Sequence, residues 1–593
     1  MQKVSPGGKR RMDMTREDFA EVLRRIALLL ELKGENPFKI RAYRNGAEAV
    51  ETFSGDLVTL ARENRLDGIK GIGDAIAAKL HELASTGRME FWEKLRENFP
   101  DSIFELFEIG GLGPKKIKAL YDAFGVDSIE RLKEVCESGE AAALPGFGQK
   151  SVAKILDGIA YRESHVGIWR LGDVASIVSE ILETLRAHPA TSRADAAGSF
   201  RRGKETVRDL DFVVATKHPL EILEFFATAP WVAEVLVRGD TKCSIRLAEG
   251  IQCDLRAVSN ANYPFALNYF TGSKEHNVAL RSRALKRGLS LNEYALTPVE
   301  GSQAEVPDVF EERDLYRALG LDVIDPALRE NTGEIEAAAE GDLPTLVELV
   351  NLRGTFHNHT TASDGCDSLE AMAEAAQELG LQYLGIADHS KSSFQANGLN
   401  ETRLRAQIEA IRRLNETFDD DFQLFAGSEV DILRDGSLDF DDALLGELDY
   451  VVASVHNAFQ LPEAEMTARI LRAVEHPRVT MLGHLTGRLL LQREPYAVKI
   501  ETIIDACART GTWIELNSNP WRLDMDWRWW KLARERGVKC VINPDAHRCA
   551  ELEYLHFGVL QARKGWLRRQ DVVNCLPLGM MRETLAAKRL ARS

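Results

Sequence analysis

Asp209 and Asp211 stand two residues apart in Asp209-Leu210-Asp211-Phe212-Val213-Val214, whose β-forming end reads as a strand. On a strand that spacing puts both carboxylates on one face. Like charges so close repel, and a hard divalent cation with oxygen ligands relieves the repulsion. A third carboxylate, Asp254, lies in a second β-like run, Ile251-Gln252-Cys253-Asp254-Leu255-Arg256. Three carboxylates on neighbouring strands suit a two-cation, in-line phosphoryl or nucleotidyl transfer, with magnesium or manganese as the ion. Upstream, Gly198-Ser199-Phe200-Arg201-Arg202-Gly203 offers backbone amides and a hydroxyl at Gly198 and Ser199, and a counter-charge for phosphate at Arg202. A D-x-D alone also reads as a solvated strand edge. The upstream motif and the third aspartate favour the metal site.

The carboxy-terminal half follows a second grammar: a β-like run ends in His, Asp, Glu or Asn, and a helical stretch follows. It occurs seven times between residues 354 and 547. The candidate ligands are His357, His359, Asp364, His389, Glu429, His456, His484, Asp545 and His547. Such a mixture suits zinc, manganese or iron, and it is large enough for up to three ions with positions left for water and phosphate. One strand-end histidine is usually a satisfied core residue, but nine ligands in this pattern are not explained that way. Alternating strands and helices imply a parallel sheet, closed into a barrel with its site at the strands' carboxy ends. Arg488 and Arg522 are phosphate contacts or plain surface arginines.

The elements before residue 170 are helical, with helices expected over 15–35 and 38–52. Three tight glycine turns each open a helix: Gly71-Ile72-Gly73, Gly111-Leu112-Gly113 and Gly146-Phe147-Gly148. Glycine permits positive φ and close backbone approach, and the free amides of a helix start suit a phosphate. This is the helix-hairpin-helix pattern of sequence-independent DNA binding. The third copy is either a DNA contact or a packing copy. Residues 331–350 are acidic and alanine-rich and read as a connector with a short helix.

The whole chain, 593 residues with 45% hydrophobic content, is too long for one core. The eight cysteines are scattered without a C-x-x-C pair, as expected of reduced thiols in a cytoplasm. No apolar run approaches a membrane span, and the basic start lacks the apolar segment of a signal peptide. The net charge of −16 argues mildly against a simple phosphate-coating protein.

The Gly198–Gly203 motif with its three aspartates resembles the palm of the family X DNA polymerases. The carboxy-terminal ligand set resembles the polymerase-and-histidinol-phosphatase (PHP) domain. Together they resemble a bacterial family X polymerase with a carboxy-terminal PHP domain. The resemblance implies a multidomain fold: helical helix-hairpin-helix domains at residues 1–95 (5′-phosphate or lyase-like) and 96–170 (fingers-like), an α+β nucleotidyltransferase palm at 171–262, a thumb at 263–330, a join at 331–350 and an α/β PHP barrel at 351–593. It implies Lys79 as a Schiff-base lysine, with a solvated helix-face lysine as the alternative, and Lys39 and Tyr43 at the 5′-phosphate site. It implies Tyr269, Phe270 and Gly272 against the nucleotide sugar, Asn277 at the base edge and Arg281 on the template strand. Gln252 stands where the family has an arginine that helps activate the primer end, which implies weaker turnover. The implied partners are gapped or primed DNA and deoxynucleoside triphosphates, with no membrane and a monomeric state. The implied function is a gap-filling repair polymerase joined to a 3′–5′ exonuclease, with 3′-phosphatase, abasic-site and deoxyribose-phosphate lyase activities as additions. Rival readings are a DNA gap-binding protein with feeble polymerase activity and a small-molecule phosphatase with a polymerase-like appendage.

Overall fold

The computed structural model describes residues 16–52, 57–69, 71–109 and 112–591. They form two compact units, residues 1–166 and 167–593.

The first unit is helical. Phe19, Leu23, Ile26 and Leu30 repeat at helical spacing on Arg16–Leu32 and are buried, packing this helix on Pro37–Thr52. Gly73, Gly113 and Gly148 immediately precede the helices Asp74–Thr86, Pro114–Phe124 and Gln149–Ser164. No side chain caps these three starts, so their first amides stay available to an anion. Gly71 has φ +95°, and a Cβ there would lie 2.8 Å from the Ala49 side chain. Gly111 lies outside the described residues.

The second unit begins with a five-stranded sheet. Its strands are β1 (Thr191–Ala196), β2 (Asp209–Thr216), β3 (Val232–Arg238), β4 (Lys242–Leu247) and β5 (Gln252–Val258), in the order β1-β2-β5-β4-β3. β2 and β5 run parallel, with Asp211 opposite Asp254 and Asp209 opposite Gln252. Helices Tyr263–Thr271, Lys274–Lys286 and Glu312–Ala318 follow.

The stretch 331–350 carries the expected short helix, and that helix packs into the core. Its helix Glu334–Glu340 places Ile335 and Ala338 in the core around Leu280 and Leu315. Glu334 is fully buried, with its carboxylate 2.6 Å from the ring of His276, and Val347 belongs to the core of the following barrel. Acidic composition suggested solvent; burial against a histidine satisfies the acid instead.

The last part is a seven-stranded, all-parallel sheet in sequence order. Its strands are β6 (Gly354–Thr355), β7 (Tyr383–Ile386), β8 (Gln423–Asp431), β9 (Tyr450–Ser454), β10 (Met481–Leu482), β11 (Trp513–Asn517) and β12 (Cys540–Asn543). A parallel bridge between Asn358 and Ala546 brings the first strand's exit to the last strand's exit and all but closes the barrel. No helix among the described residues is long and apolar enough to cross a membrane, and the eight cysteines are free.

Candidate metal centres and nucleic-acid contacts

The parallel register of β2 and β5 sets Asp211 beside Asp254, with Asp209 on the same face of β2. Burial, then Asp209 and Asp254, push the Asp211 carboxyl up to about 7. Asp254 behaves oppositely. Burial would raise it, but hydrogen bonds led by Lys242 hold it below the usual range. Lys242 Nζ lies 2.6 Å from one Asp254 oxygen, and Gln252 Nε2 donates to the other at 3.0 Å. Lys242 comes from β4, next to β5, and nothing near Asp254 in sequence announces it. Gly198 has φ +60°, and a Cβ there would sit 2.2 Å from an Asp211 oxygen. The loop therefore lies directly on the carboxylates.

Arg202 does not point freely toward a phosphate. Its Nε donates to Glu330 at 3.0 Å and its Nη1 to the Thr271 carbonyl at 2.6 Å. Gly272 passes close to the same guanidinium. Tyr269 and Phe270 meet edge to face with centroids 5.2 Å apart, and Asn277 Nδ2 donates to the Tyr269 carbonyl at 2.8 Å. Arg281 is exposed on its helix.

At the carboxy end of the barrel all nine expected ligands converge. Three groups have ligand atoms within 4.8 Å of one another: His359, Asp364, His389 and His547; His357, His359 and Glu429; and His389, Glu429 and His456. His484 and Asp545 adjoin them, His484 Nε2 at 2.9 Å from Glu429 and Asp545 at 3.1 Å from His359 Nε2. His357 Nε2, His359 Nδ1, His389 Nδ1, His456 Nε2, His484 Nδ1 and Glu429 Oε2 are buried without a hydrogen bond. Buried polar atoms normally have partners. Orphaned imidazole nitrogens clustered with carboxylates are the donor set that cations satisfy.

The field at His357 favours positive charge, whereas burial and then His547 and His389 push His359 down to about 4. Burial alone would lower His357, yet Glu515, Glu429 and Asp545 raise it well above the ordinary value. Two supporting carboxylates, Asp431 at the end of β8 and Glu515 within β11, stand outside the nine expected ligands. Glu515 lies 2.6 Å from His357 Nδ1, and Asp431 bonds His456 Nδ1, each fixing a ring so that its other nitrogen faces inward. Arg522 Nε lies 3.3 Å from Asp545 at the site's edge. Arg488 is a correction: it is buried, bonding Asp526, the Arg522 and Leu523 carbonyls and the neighbourhood of Glu205, so it is not a phosphate contact.

In the helical unit Lys39, Tyr43 and Lys79 gather on Phe91. Tyr43 stacks on it at 5.8 Å, and the Lys39 and Lys79 ammonium groups lie 5.4 and 5.2 Å from its centroid. Burial and then Lys39 lower the Lys79 pKa. In the third hairpin Phe147 is buried, with the Lys116 ammonium over its ring.

Residues 14–89 match the helix-hairpin-helix domain, 103–160 the SAM-like helix-hairpin-helix tandem, 266–330 the DNA polymerase beta thumb and 355–519 the PHP domain. The chain is 38% identical over 567 residues to "DNA polymerase/3'-5' exonuclease PolX" of Bacillus subtilis, covering 95% of this chain and 98% of that one. It is 26% identical to DNA polymerase lambda of Rattus norvegicus over 44% of this chain and 48% of that one. It is also 26% identical to a probable phosphatase of Thermoanaerobacter sp., over 39% of this chain and 94% of that one.

Proposed function

The chain belongs to the family X DNA polymerases of the bacterial type that carries a PHP exonuclease domain, and from that premise we propose how its two centres divide the work. The polymerase centre is built on Asp209, Asp211 and Asp254. Their mutual repulsion, visible in Asp211, fits magnesium or manganese. Bound cations there would supply charge neutralisation for the triphosphate and a more acidic primer hydroxyl. Asp254, held by Lys242 and Gln252, keeps a fixed ionised oxygen beside that hydroxyl and accepts its proton. The Lys242 ion pair takes up the positioning that an arginine at Gln252 would give. Gly198 and Ser199 bring backbone and hydroxyl to the phosphates, and Tyr269 and Phe270 wall the sugar. Asn277, fixed to the Tyr269 carbonyl, faces the base, and Arg281 lies on the template.

At the barrel centre His357, His359, Asp364, His389, Glu429, His456, His484, Asp545 and His547 would hold up to three zinc, manganese or iron ions. Bound ions there would supply a hydroxide-like nucleophile at neutral pH. Glu515 and Asp431 orient the rings, and Arg522 meets the scissile phosphate of a DNA 3′ end. The hairpin glycines Gly71, Gly73, Gly113, Gly146 and Gly148 carry the duplex backbone. Lys79, made less basic by burial and then by Lys39, serves as an amine nucleophile toward an abasic 5′ end, where Tyr43 and Lys39 hold the phosphate. The substrates are gapped or primed DNA and deoxynucleoside triphosphates. The enzyme works as a monomer in the cytoplasm, in keeping with its free cysteines.

The observation that carries this reading is that two separate ligand sets, three aspartates on one strand pair and nine ligands on one barrel end, stand in one chain. A labelled primer on a one-nucleotide-gapped duplex with manganese tests it. Asp209→Ala should abolish extension and keep shortening, and His357→Ala the reverse. A wild type that does neither would overturn the reading.

A further inference from the structure

Lys564 ends the helix Leu555–Lys564 of the barrel domain, and only 1% of its surface is exposed. A lysine is rarely buried unless paired. Its Nζ lies 2.5 Å from Glu330 Oε1 and 3.1 Å from the Arg202 carbonyl, above the ring of Trp527. One turn back, Gln561 Nε2 donates to the Gly203 carbonyl at 2.8 Å. A helix of the nuclease domain thus grips the loop Gly198–Gly203 of the polymerase domain by two consecutive carbonyls.

Glu330 offers the same oxygen, Oε1, to Lys564 and to Arg202. For Arg202 to meet a triphosphate it must leave that oxygen. A largely buried carboxylate that loses the cation bonded to it is costly, and the cost opposes nucleotide binding. With Lys564 in place Glu330 keeps a cation after Arg202 has turned away.

We infer that Lys564 is a positioning residue of the polymerase reaction: it backs Glu330, a resting partner for Arg202, and so frees Arg202 for the incoming deoxynucleoside triphosphate. The PHP domain is on this account part of the nucleotide site. The inference rests on the reading that Arg202 meets the triphosphate.

Single-nucleotide incorporation into a one-nucleotide gap by the full-length protein tests it, with KM for the nucleotide separated from kcat. Lys564→Met keeps the volume and removes the charge. It should raise KM about tenfold, the size of one charge-assisted hydrogen bond's share, and leave 3′-end hydrolysis intact. Glu330→Gln removes the competitor and should lower KM. In the Glu330→Gln background Lys564→Met should no longer raise KM. A KM unchanged in Lys564→Met, or effects that simply add, would overturn the inference while leaving the polymerase reading standing. If Lys564→Met does not fold, a raised KM in Glu330→Gln overturns it equally. A wild type that incorporates nothing would overturn both.

Discussion

At the scale of single residues the barrel centre depends on groups that touch no substrate. Glu515 is fully buried and holds His357 Nδ1 at 2.6 Å, leaving Nε2 as one of the orphaned atoms facing Glu429. Replacing a carboxylate that supports a ligating histidine typically costs about 10–100-fold in metal affinity or activity. Glu515→Gln should therefore lower 3′-end hydrolysis by that order at limiting manganese, with part of the loss recovered at high manganese. Primer extension by the same preparation should be unchanged. Full hydrolysis at limiting metal would show that His357 needs no such support.

At the scale of elements, the decisive contacts are those between a loop and a strand. Gly198 opens the nucleotide loop at φ +60°, with the Asp211 carboxylate where a Cβ would be. Gly198→Ala combines a left-handed backbone, roughly 1–2 kcal/mol for a side chain, with displacement of a metal ligand. Extension should fall by about 100-fold or more while 3′-end hydrolysis persists, read on one labelled primer; comparable extension would mean the loop can retreat from β2. The elements also show why parts of the molecule were legible in the sequence. Asp209 and Asp211 share a strand, and His389 lies just beyond the strand Tyr383–Ile386, after Ala387 and Asp388, so ligand and scaffold lie together in the chain. The hairpin turns are likewise local. Lys242 reaches Asp254 only through strand pairing, Glu515 is 158 residues from His357, and Lys564 is 234 from Glu330, so no local pattern predicts them. Arg488 reads as a phosphate contact or a surface arginine because a sequence displays a charge without its partner, and the pairing of Arg202 with Glu330 is hidden in the same way. In the stretch 331–350 the short helix is legible from composition, whereas the burial of Glu334 against His276 is not.

At the scale of the whole molecule, polymerase and nuclease domains are parts of one unit, residues 167–593. Their seam joins an apolar cluster, Leu171 with Leu523 and Phe557, to a set of charges around Glu205. Glu205 of the palm accepts from Trp527 Nε1 at 3.2 Å and lies 3.6 Å from both Arg488 and Arg528, which also pair with Asp526. Buried charge sets of this kind hold a register more than they add stability. Stability must come largely from the apolar cores, and at the barrel mouth the unpaired ligands oppose it. Cations that bind the folded barrel and not the unfolded chain stabilise it by mass action, about 2.7 kcal/mol at a hundredfold excess over Kd. In scanning calorimetry of the full chain, chelation should lower an unfolding transition, and added zinc or manganese should restore it. His357→Ala should shrink that shift, because it removes a ligand from one of the three groups. The transition should also depend on the seam: if Arg488→Met, which leaves Glu205 and Asp526 short of a buried cation, lowers it as well, then barrel and palm unfold together. A transition indifferent to chelator would mean that the orphaned histidines find partners within the barrel itself, and that the metal sites contribute to chemistry without contributing to the fold.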